Sequence, residues 1–327
     1  MKQMNCIVTG GCGFLGSHLA ERLIQLKHKV TIIDNLSTGN LKNINNFRNK
    51  VKFIKADINN NKIKRYFKNV NWVFHLAAKA DIVPSIENPK LYYDTNVNGT
   101  FNILQCSRVN TVKKFIYIAS STCYGIPKKY PTSEDSKIET KFPYALTKYL
   151  GEELVMHWGD VYKIPVISLR CFNIYGTRSR TSGTYGAVMG VFLAQKINKK
   201  PLTIVGNGTQ KRDFTYVSDV VEAIIKSAKS KVKKQIFNIG SGKSISINYL
   251  AKLIGGKKIY IPKRPGEPDI TFAKIDKIQS ILKWKPKIKI EEGVLKLINQ
   301  IKFWQDAPIW TKQKIKKVTK NWFKYLK

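Results

Sequence analysis

Short apolar runs alternate with amphipathic stretches through the first half of the chain. Strand-like runs fall at residues 5–8, 30–33, 51–54, 72–76, 115–118 and 166–170. Helix-like periodicity occupies residues 17–24, 61–68, about 91–109 and 149–161. Strands that alternate with helices predict a parallel sheet with helices on both faces.

The pattern becomes less regular beyond residue 176. A polar loop at 178–184 precedes a helix pattern near 187–198, a hairpin-like stretch at 202–208, a helix pattern at 218–229 and a strand pattern at 236–240. The last strand is expected to return to the main sheet. The predicted organisation is a sheet domain over 1–176 whose sheet is completed within 212–240, a smaller α/β lobe over 177–305, and a tail over 306–327.

The tail is basic and has helical periodicity from Trp310 onward. Ile315, Val318 and Trp322 fall on one face, together with Tyr325 or Leu326. This predicts one amphipathic helix that packs on the body or on a partner chain. Contact with a membrane surface is the alternative that this pattern leaves open.

The first strand ends in a glycine-rich turn. Gly10, Gly13 and Gly16 are spaced three residues apart, and a helix pattern follows them. The first glycine permits a tight turn, the second lets a pyrophosphate approach the backbone, and the third lets the helix pack close to the strand. The helix N-terminus offers N–H groups and a positive dipole end to phosphates. We predict a dinucleotide site in a Rossmann-type, doubly wound α/β fold.

Acidic and small residues end the next three strands. Asp34 lies where a carboxylate binds a ribose diol, and its charge disfavours the 2′-phosphate of NADP, so NAD is the predicted cofactor. Asp57 either bonds an adenine amino group or caps the following helix. Ala77 and Ala78 leave room for a ligand to lie against the backbone at the carboxyl end of a strand.

A tyrosine and a lysine supply the candidate chemistry. Tyr144 and Lys148 are four residues apart, which places them on one face of a helix. A neighbouring ammonium is expected to lower the pKa of the phenol from about 10 toward neutrality, making it a general base for a hydroxyl proton. Ser120, at the end of the fifth strand, is placed to hydrogen-bond the same substrate oxygen. Hydride transfer is the reaction that this set predicts.

Composition bears on the expected partners, cellular location and metal content of the protein. The formal charge is +37, but the lysines are spread along the chain without a nucleic-acid motif, so we expect no nucleic-acid partner. No run of 18 apolar residues occurs, and the first strand begins at once, which favours a cytoplasmic protein. The five cysteines and four histidines show no metal-ligand spacing, so we predict no metal and reduced thiols.

The ordered motifs resemble those of extended short-chain dehydrogenase/reductases of the nucleotide-sugar epimerase/dehydratase family. The resemblance spans about residues 4–305 and is carried by TGGCGFLG, HLAA, NVNGT, SSTCYG, PYALTK, RCFNIYG, RDFTYV and RPGEP. It implies a catalytic triad of Ser120, Tyr144 and Lys148, and a homodimer formed through the helices near 91–109 and 144–161.

The same resemblance implies two sets of contacts. For NAD it implies Gly10, Gly13, Phe14, Leu15, Asp34, Asn35, Asp57, Ile58, Ala77, Ala78, Asn96, Tyr144, Lys148 and Phe172. For the nucleotide sugar it implies Asn173, Arg212, Arg264 and Glu267, with Ser121 and Thr122 as further substrate-binding candidates. Arginines suit a diphosphate because a guanidinium binds it with paired hydrogen bonds.

Several reactions occur on this scaffold. Dehydratases of the family carry Asp-Glu where this chain has Ser121 and Thr122, and the epimerase-reductases need a placed cysteine and histidine that are not matched here. Simple 4-epimerisation of a UDP-hexose, in cell-surface polysaccharide synthesis, is therefore the predicted activity. A dehydratase, decarboxylase or 4-dehydrogenase is the alternative, and a non-catalytic NAD-binding scaffold is the alternative from another class.

The sugar is less defined. Thr271 aligns with the family position that limits space for an N-acetyl group, and its small side chain tolerates UDP-GlcNAc or a uronate. The loop at 178–184 carries Arg178 and Arg180, which suit either a carboxylate or the phosphates.

Overall fold

A seven-stranded parallel sheet forms the centre of the molecule in the computed structural model, which describes residues 2–179 and 187–326. The strands lie in the order β3-β2-β1-β4-β5-β6-β11. The strands of the chain are β1 Asn5–Thr9, β2 Lys29–Asp34, β3 Val51–Lys55, β4 Trp72–His75, β5 Lys114–Ser120, β6 Val166–Cys171, β7 Asn173–Tyr175, β8 Leu202–Val205, β9 Lys211–Arg212, β10 Phe214–Tyr216, β11 Gln235–Ile239, β12 Ile245–Ser246 and β13 Lys258–Ile261.

Helices cover both faces of this sheet and build the smaller lobe. They are α1 Phe14–Gln25, α2 Ile82–Glu87, α3 Pro89–Tyr93, α4 Gly99–Val109, α5 Pro143–Val161, α6 Val188–Ile197, α7 Val217–Lys229, α8 Ile247–Ile254, α9 Asp276–Leu282, α10 Ile290–Ile298, α11 Lys312–Val318 and α12 Lys320–Tyr325. Short 3₁₀ segments lie at Leu41–Lys50, Asn61–Phe67, Ser121–Tyr124 and Ile301–Trp304. Among the described residues, we find no helix with the length and apolar content needed to cross a bilayer.

The strand order fixes where a ligand binds. The chain builds the sheet outward from β1 through β2 and β3, then crosses back to place β4 on the other side of β1. The connections that leave the carboxyl ends of β1 and β4 therefore run in opposite directions, and this topological switch point is where open α/β sheets bind ligands. The predicted parallel sheet is confirmed, and the strand predicted at 236–240 pairs with β6 as β11.

Three predicted elements differ in the structure. Helix α5 begins at Pro143 rather than at residue 149, because proline is well suited to a first helical position. The helix predicted at 91–109 contains a π-helical turn over Asp94–Asn98. The hairpin predicted at 202–208 is wrong: β8 pairs in parallel with the distant β13 instead.

The tail is two short helices rather than the single helix predicted. Helix α11 ends before Thr319, whose backbone (φ −96°, ψ 6°) leaves helical geometry and whose hydroxyl donates to the Ile315 carbonyl at 2.8 Å. Ile315 and Trp322 are buried against the smaller lobe. The tail therefore packs on the body of the protein, as the first of the two sequence interpretations expected.

A buried histidine makes stability depend on pH. His75 at the end of β4 forms hydrogen bonds with the hydroxyls of Thr9 (2.7 Å) and Thr100 (3.0 Å). Burial lowers its pKa from 6.5 to about 3, with a smaller contribution from Lys148. The unfolded chain takes up this proton at higher pH than the folded chain, so the free energy of unfolding should fall as pH drops from 6.5 toward 3.

The expected loss is about 2 kcal/mol between pH 6.5 and pH 5, measured by urea unfolding at each pH. His75→Gln should flatten this dependence, whereas the exposed His157→Gln should keep the slope of the parent protein. An unchanged slope in His75→Gln would contradict the assignment.

Candidate active site

The glycine turn between β1 and α1 is shaped by close backbone contacts. Gly10 has φ +69°, and a Cβ there would lie 2.8 Å from the Ala77 nitrogen. A Cβ on Gly16 would lie 2.1 Å from the Gly10 oxygen. Side chains are thus excluded, and the N-terminus of α1, with no acid in its first turn, borders a cavity of about 460 Å³. This cradle fits the pyrophosphate of a dinucleotide.

Asp34 lines this cavity, hereafter the first cavity. Its carboxylate accepts hydrogen bonds from the backbone N–H groups of Cys12 (2.9 Å) and Leu36 (2.8 Å). Burial raises its pKa, and the two N–H groups act in the opposite direction. Asp57 bonds the Asn35 amide at 2.7 Å, while Asn60 rather than Asp57 caps the next helix. The helix-cap alternative for Asp57 is therefore wrong.

Most of the residues predicted to bind NAD line the first cavity. They are Gly10, Gly13, Phe14, Leu15, Asp34, Asn35, Asp57, Ile58, Ala77, Ala78, Tyr144, Lys148 and Phe172.

Asn96 is the exception. It is buried, its side chain bonds the Lys79 backbone N–H (2.8 Å) and carbonyl (3.0 Å), and it also donates to Thr147 (3.1 Å). Asn96 therefore holds the loop after β4 through the Lys79 backbone and does not itself line the first cavity.

Tyr144 and Lys148 lie on the first turns of α5. Burial raises the pKa of Tyr144 to about 12, although a hydrogen bond with Ser120 favours the phenolate, and the charge of Asp81 adds to the increase. Burial lowers the pKa of Lys148 to about 7, and its Nζ lies 4.1 Å from the centroid of the Tyr117 ring. For the protein alone, the pKa of Tyr144 is therefore raised by desolvation rather than brought toward neutrality by the lysine, in contrast to the expectation from the sequence.

Ser120 ends β5 beside this pair. Its hydroxyl hydrogen-bonds the Thr122 hydroxyl at 2.9 Å and accepts from the Thr122 N–H at 3.3 Å. Ser120 and Tyr144 line the first cavity and also a second cavity of about 350 Å³. The catalytic candidates therefore stand at the border between the two cavities.

All predicted substrate residues line the second cavity. They are Ser121, Thr122, Asn173, Arg212, Arg264 and Glu267.

The two arginines are joined by one carboxylate. Glu267 accepts from Arg212 (2.9 Å) and from Arg264 (2.9 Å). Burial opposes the charge of Glu267, but the two arginines outweigh it and lower its pKa. The cluster keeps a net positive charge beside the cavity, which suits an anionic diphosphate.

Three further residues line the cavities, of which the sequence analysis had named only Thr271. Thr271 lies in the second cavity, and its hydroxyl donates to the side-chain carbonyl of Asn173 at 2.9 Å. Asp81 lines both cavities, and Trp322 from the tail lines the second. The polar residue after the fourth strand and the apolar face of the tail were the available signals for these two residues.

Arg178 does not face either cavity. It bonds Glu21 at 2.5 Å, and the rest of the predicted 178–184 loop beyond Ser179 lies outside the described residues. Across residues 2–179 and 187–326, no group of three or more His, Cys, Asp or Glu is arranged to hold a metal.

The fold and these two cavities are typical of an enzyme that binds a dinucleotide next to an anionic substrate. The model of the NAD-dependent epimerase/dehydratase family matches residues 6–240, so the chain belongs to that family. The predicted family and fold are therefore confirmed.

Similar proteins with assigned names include UDP-sugar 4-epimerases. A putative UDP-glucose 4-epimerase of Methanocaldococcus jannaschii is 38% identical over 305 residues, covering 90% of this chain and 98% of that protein. The UDP-glucose 4-epimerase of Thermotoga maritima, solved with UDP-glucose, superposes with a TM-score of 0.87 at 32% identity, covering 91% of this chain and 99% of that one.

A third similar structure contains the cofactor. The UDP-glucuronic acid 4-epimerase of Bacillus cereus, solved with UDP-glucuronic acid and NAD, has a TM-score of 0.85 at 30% identity and covers 91% of this chain and 99% of that one. NAD as the cofactor is therefore confirmed, in agreement with the prediction from Asp34.

Proposed function

We propose that the chain is an NAD-dependent nucleotide-sugar 4-epimerase that acts on a UDP-hexose. One observation carries the proposal: Ser120 and Tyr144 line both the dinucleotide cavity and the cavity that holds the Arg212–Glu267–Arg264 cluster. A sugar whose diphosphate lies at the arginines can therefore present a ring hydroxyl to Tyr144. The relatives reported above, two of which are named UDP-sugar 4-epimerases and one a putative UDP-glucose 4-epimerase, support the same activity.

Each site residue has a separate role in the proposed reaction. Tyr144 takes the proton of the sugar 4-hydroxyl as general base and returns it to the epimeric alkoxide as general acid. Ser120 hydrogen-bonds the same oxygen and holds it during the change between alcohol and ketone. Arg212 and Arg264 keep the diphosphate bound while the 4-keto sugar turns. Bound NAD⁺ supplies the acceptor for the C4 hydride and, with its positive charge, favours the phenolate.

Ser121 and Thr122 favour epimerisation over elimination. These residues follow the end of β5 and supply hydroxyls where the dehydratases of the family carry acids. Because neither hydroxyl is a strong acid or base near neutral pH, this position lacks the pair needed for loss of water from C5 and C6. The proposed product is the C4 epimer of the substrate.

The identity of the sugar is also proposed. Thr271 is small and is held by Asn173, so the second cavity has space beside it for a substituent such as an N-acetyl group. We include UDP-GlcNAc with UDP-glucose among the proposed substrates.

A homodimer is also proposed. The surface formed by α3, α4 and α5 exposes large apolar side chains, among them Tyr93 (47% exposed), Phe101 (44%), Leu146 (44%) and Val161 (52%). Such a surface fits a second copy of the chain, because apolar patches on paired helices are typical of isologous interfaces. The cytoplasmic location predicted from the sequence remains part of the proposal.

Product analysis tests the activity. The purified protein is incubated with UDP-glucose, UDP-GlcNAc, UDP-glucuronate and dTDP-glucose, and the products are followed by NMR. The expected result is a C4 epimer without net formation of NADH. A 4-keto-6-deoxy sugar, released CO₂ or stoichiometric NADH would instead establish one of the alternative reactions.

A further inference from the structure

The basic tail reaches the substrate cavity. Trp322 in α12 is 3% exposed and lines the second cavity together with Phe142, Arg264 and Glu267. The tail follows residues 4–305, over which the family motifs occur, so none of those motifs includes Trp322. Its position next to Arg264 and Glu267 places a residue of the tail in the wall of the substrate cavity.

Two contacts join Trp322 to the loop that carries Arg264 and Glu267, and a third joins it to Phe142. The indole N–H donates to the Pro265 carbonyl at 2.7 Å. The Arg264 Cζ lies 5.2 Å from the centroid of the indole ring, within the range of a cation–π interaction. The ring also packs on Phe142, with centroids 5.0 Å apart. Trp322 therefore connects the Arg264 loop to the residue that precedes α5.

This arrangement restrains an arginine on a sparsely packed loop. Arg264 lies between β13 and α9. Its near neighbour Gly266 has φ +69°, and apart from Gly266 and the residues on either side of it, no atom lies within 4 Å of the point where a Cβ would be. The loop itself supplies little packing at that point. The indole contributes a face for the guanidinium and an N–H for the backbone, while Glu267 accepts a hydrogen bond from the same guanidinium.

We propose that Trp322 is a positioning residue that holds Arg264 in the geometry required to bind the diphosphate of a nucleoside-diphosphate substrate. The inference rests on the proposed function for the identity of the ligand. The tail thus forms part of the substrate site, and its effect is on binding rather than on the proton transfer at Tyr144.

Direct binding and kinetics test this role. UDP, dTDP and NAD are titrated calorimetrically into the full-length protein and into Trp322→Ala, and the steady-state constants are measured with UDP-glucose. We expect the nucleoside diphosphate to bind about three- to tenfold more weakly and KM to rise by a similar factor. The values of kcat and of NAD affinity should be unchanged. The matched control is Phe323→Ala, a neighbouring exposed aromatic that does not line the cavity.

Two further variants separate positioning from loss of structure. Trp322→Phe keeps an aromatic face but removes the N–H, and it should weaken binding by an intermediate factor. Its thermal unfolding is measured in parallel and should show a small loss of stability in a protein that stays folded at the assay temperature. In an Arg264→Ala background, Trp322→Ala should cause no further loss, because its effect passes through the arginine. If the two substitutions instead weaken nucleoside-diphosphate binding independently, so that their factors multiply in the double variant, the proposal that Trp322 acts through Arg264 is overturned.

The outcomes distinguish this inference from the proposed function. Parental affinity for the nucleoside diphosphate in Trp322→Ala overturns the role of Trp322 and leaves epimerisation untouched. Weakened binding in a protein that converts none of the sugars supports the role of Trp322 and overturns the epimerase. Failure of the parent protein to bind UDP and dTDP overturns both.

Discussion

Replacing Tyr144 by phenylalanine is expected to lower kcat by about 10²- to 10⁴-fold while NAD and UDP bind as in the parent protein. The change removes one hydroxyl from a side chain that borders both cavities. The substrate hydroxyl then loses the base proposed for it, although its diphosphate site is intact. The measurement is steady-state turnover of UDP-glucose together with calorimetric binding of both ligands.

Tyr149→Phe provides the control for this variant. Tyr149 is on the same helix, next to Lys148, and lines neither cavity, so its loss should leave turnover unchanged. Turnover near the parental rate in Tyr144→Phe would rule out the tyrosine as the base. An equal loss in both variants would indicate damage to α5 rather than to the chemistry.

Replacing Glu152 by alanine is expected to destabilise the fold by about 3–5 kcal/mol. Glu152 on α5 bonds Arg170 on β6 at 2.6 Å, and the two side chains are 1% and 4% exposed. Glu152 also accepts from Ser168 at 2.6 Å. Without the glutamate, the guanidinium of Arg170 remains buried without its counter-charge, which is the costly situation for a buried pair.

Urea unfolding measures this loss, with the exposed neighbour Glu153→Ala as the control. The control should change the free energy of unfolding by less than about 0.5 kcal/mol. A loss of similar size in the two variants would contradict the special role of the buried pair. Because α5 also carries Tyr144 and Lys148, activity of the folded Glu152→Ala fraction reports whether the pair also aligns the catalytic helix.

Site residues could be predicted from the sequence when they lie at the carboxyl ends of strands, because the strand then fixes where the residue is. Asp34, Ala77 and Ser120 each lie at or just beyond the end of a strand of one parallel sheet, and the carboxyl ends of such strands meet at one edge. The glycine spacing then predicted where a pyrophosphate binds, and the four-residue spacing of Tyr144 and Lys148 predicted where the chemistry occurs. These inferences needed only local pattern and the known geometry of a parallel sheet.

Contacts between distant segments could not be predicted in the same way. Glu152 and Arg170 are residue types common on surfaces, and only the packing of α5 on β6 shows them as a buried pair. The pairing of β8 with β13 joins segments that are far apart in the chain. The pKa of Tyr144 likewise depends on desolvation by its surroundings, which spacing along a helix does not reveal.

The position of β11 has a consequence for how the chain is made. β11 covers the outer edge of β6, and Phe172 N–H bonds the Ile239 carbonyl at 2.9 Å. A nascent chain that has emerged only as far as β6 exposes that edge to other chains, a known route to aggregation. The seven-stranded sheet is therefore complete only after the chain has been synthesised as far as Ile239. Cutting the gene at the end of β6 would produce an open-edged fragment rather than a smaller NAD-binding protein.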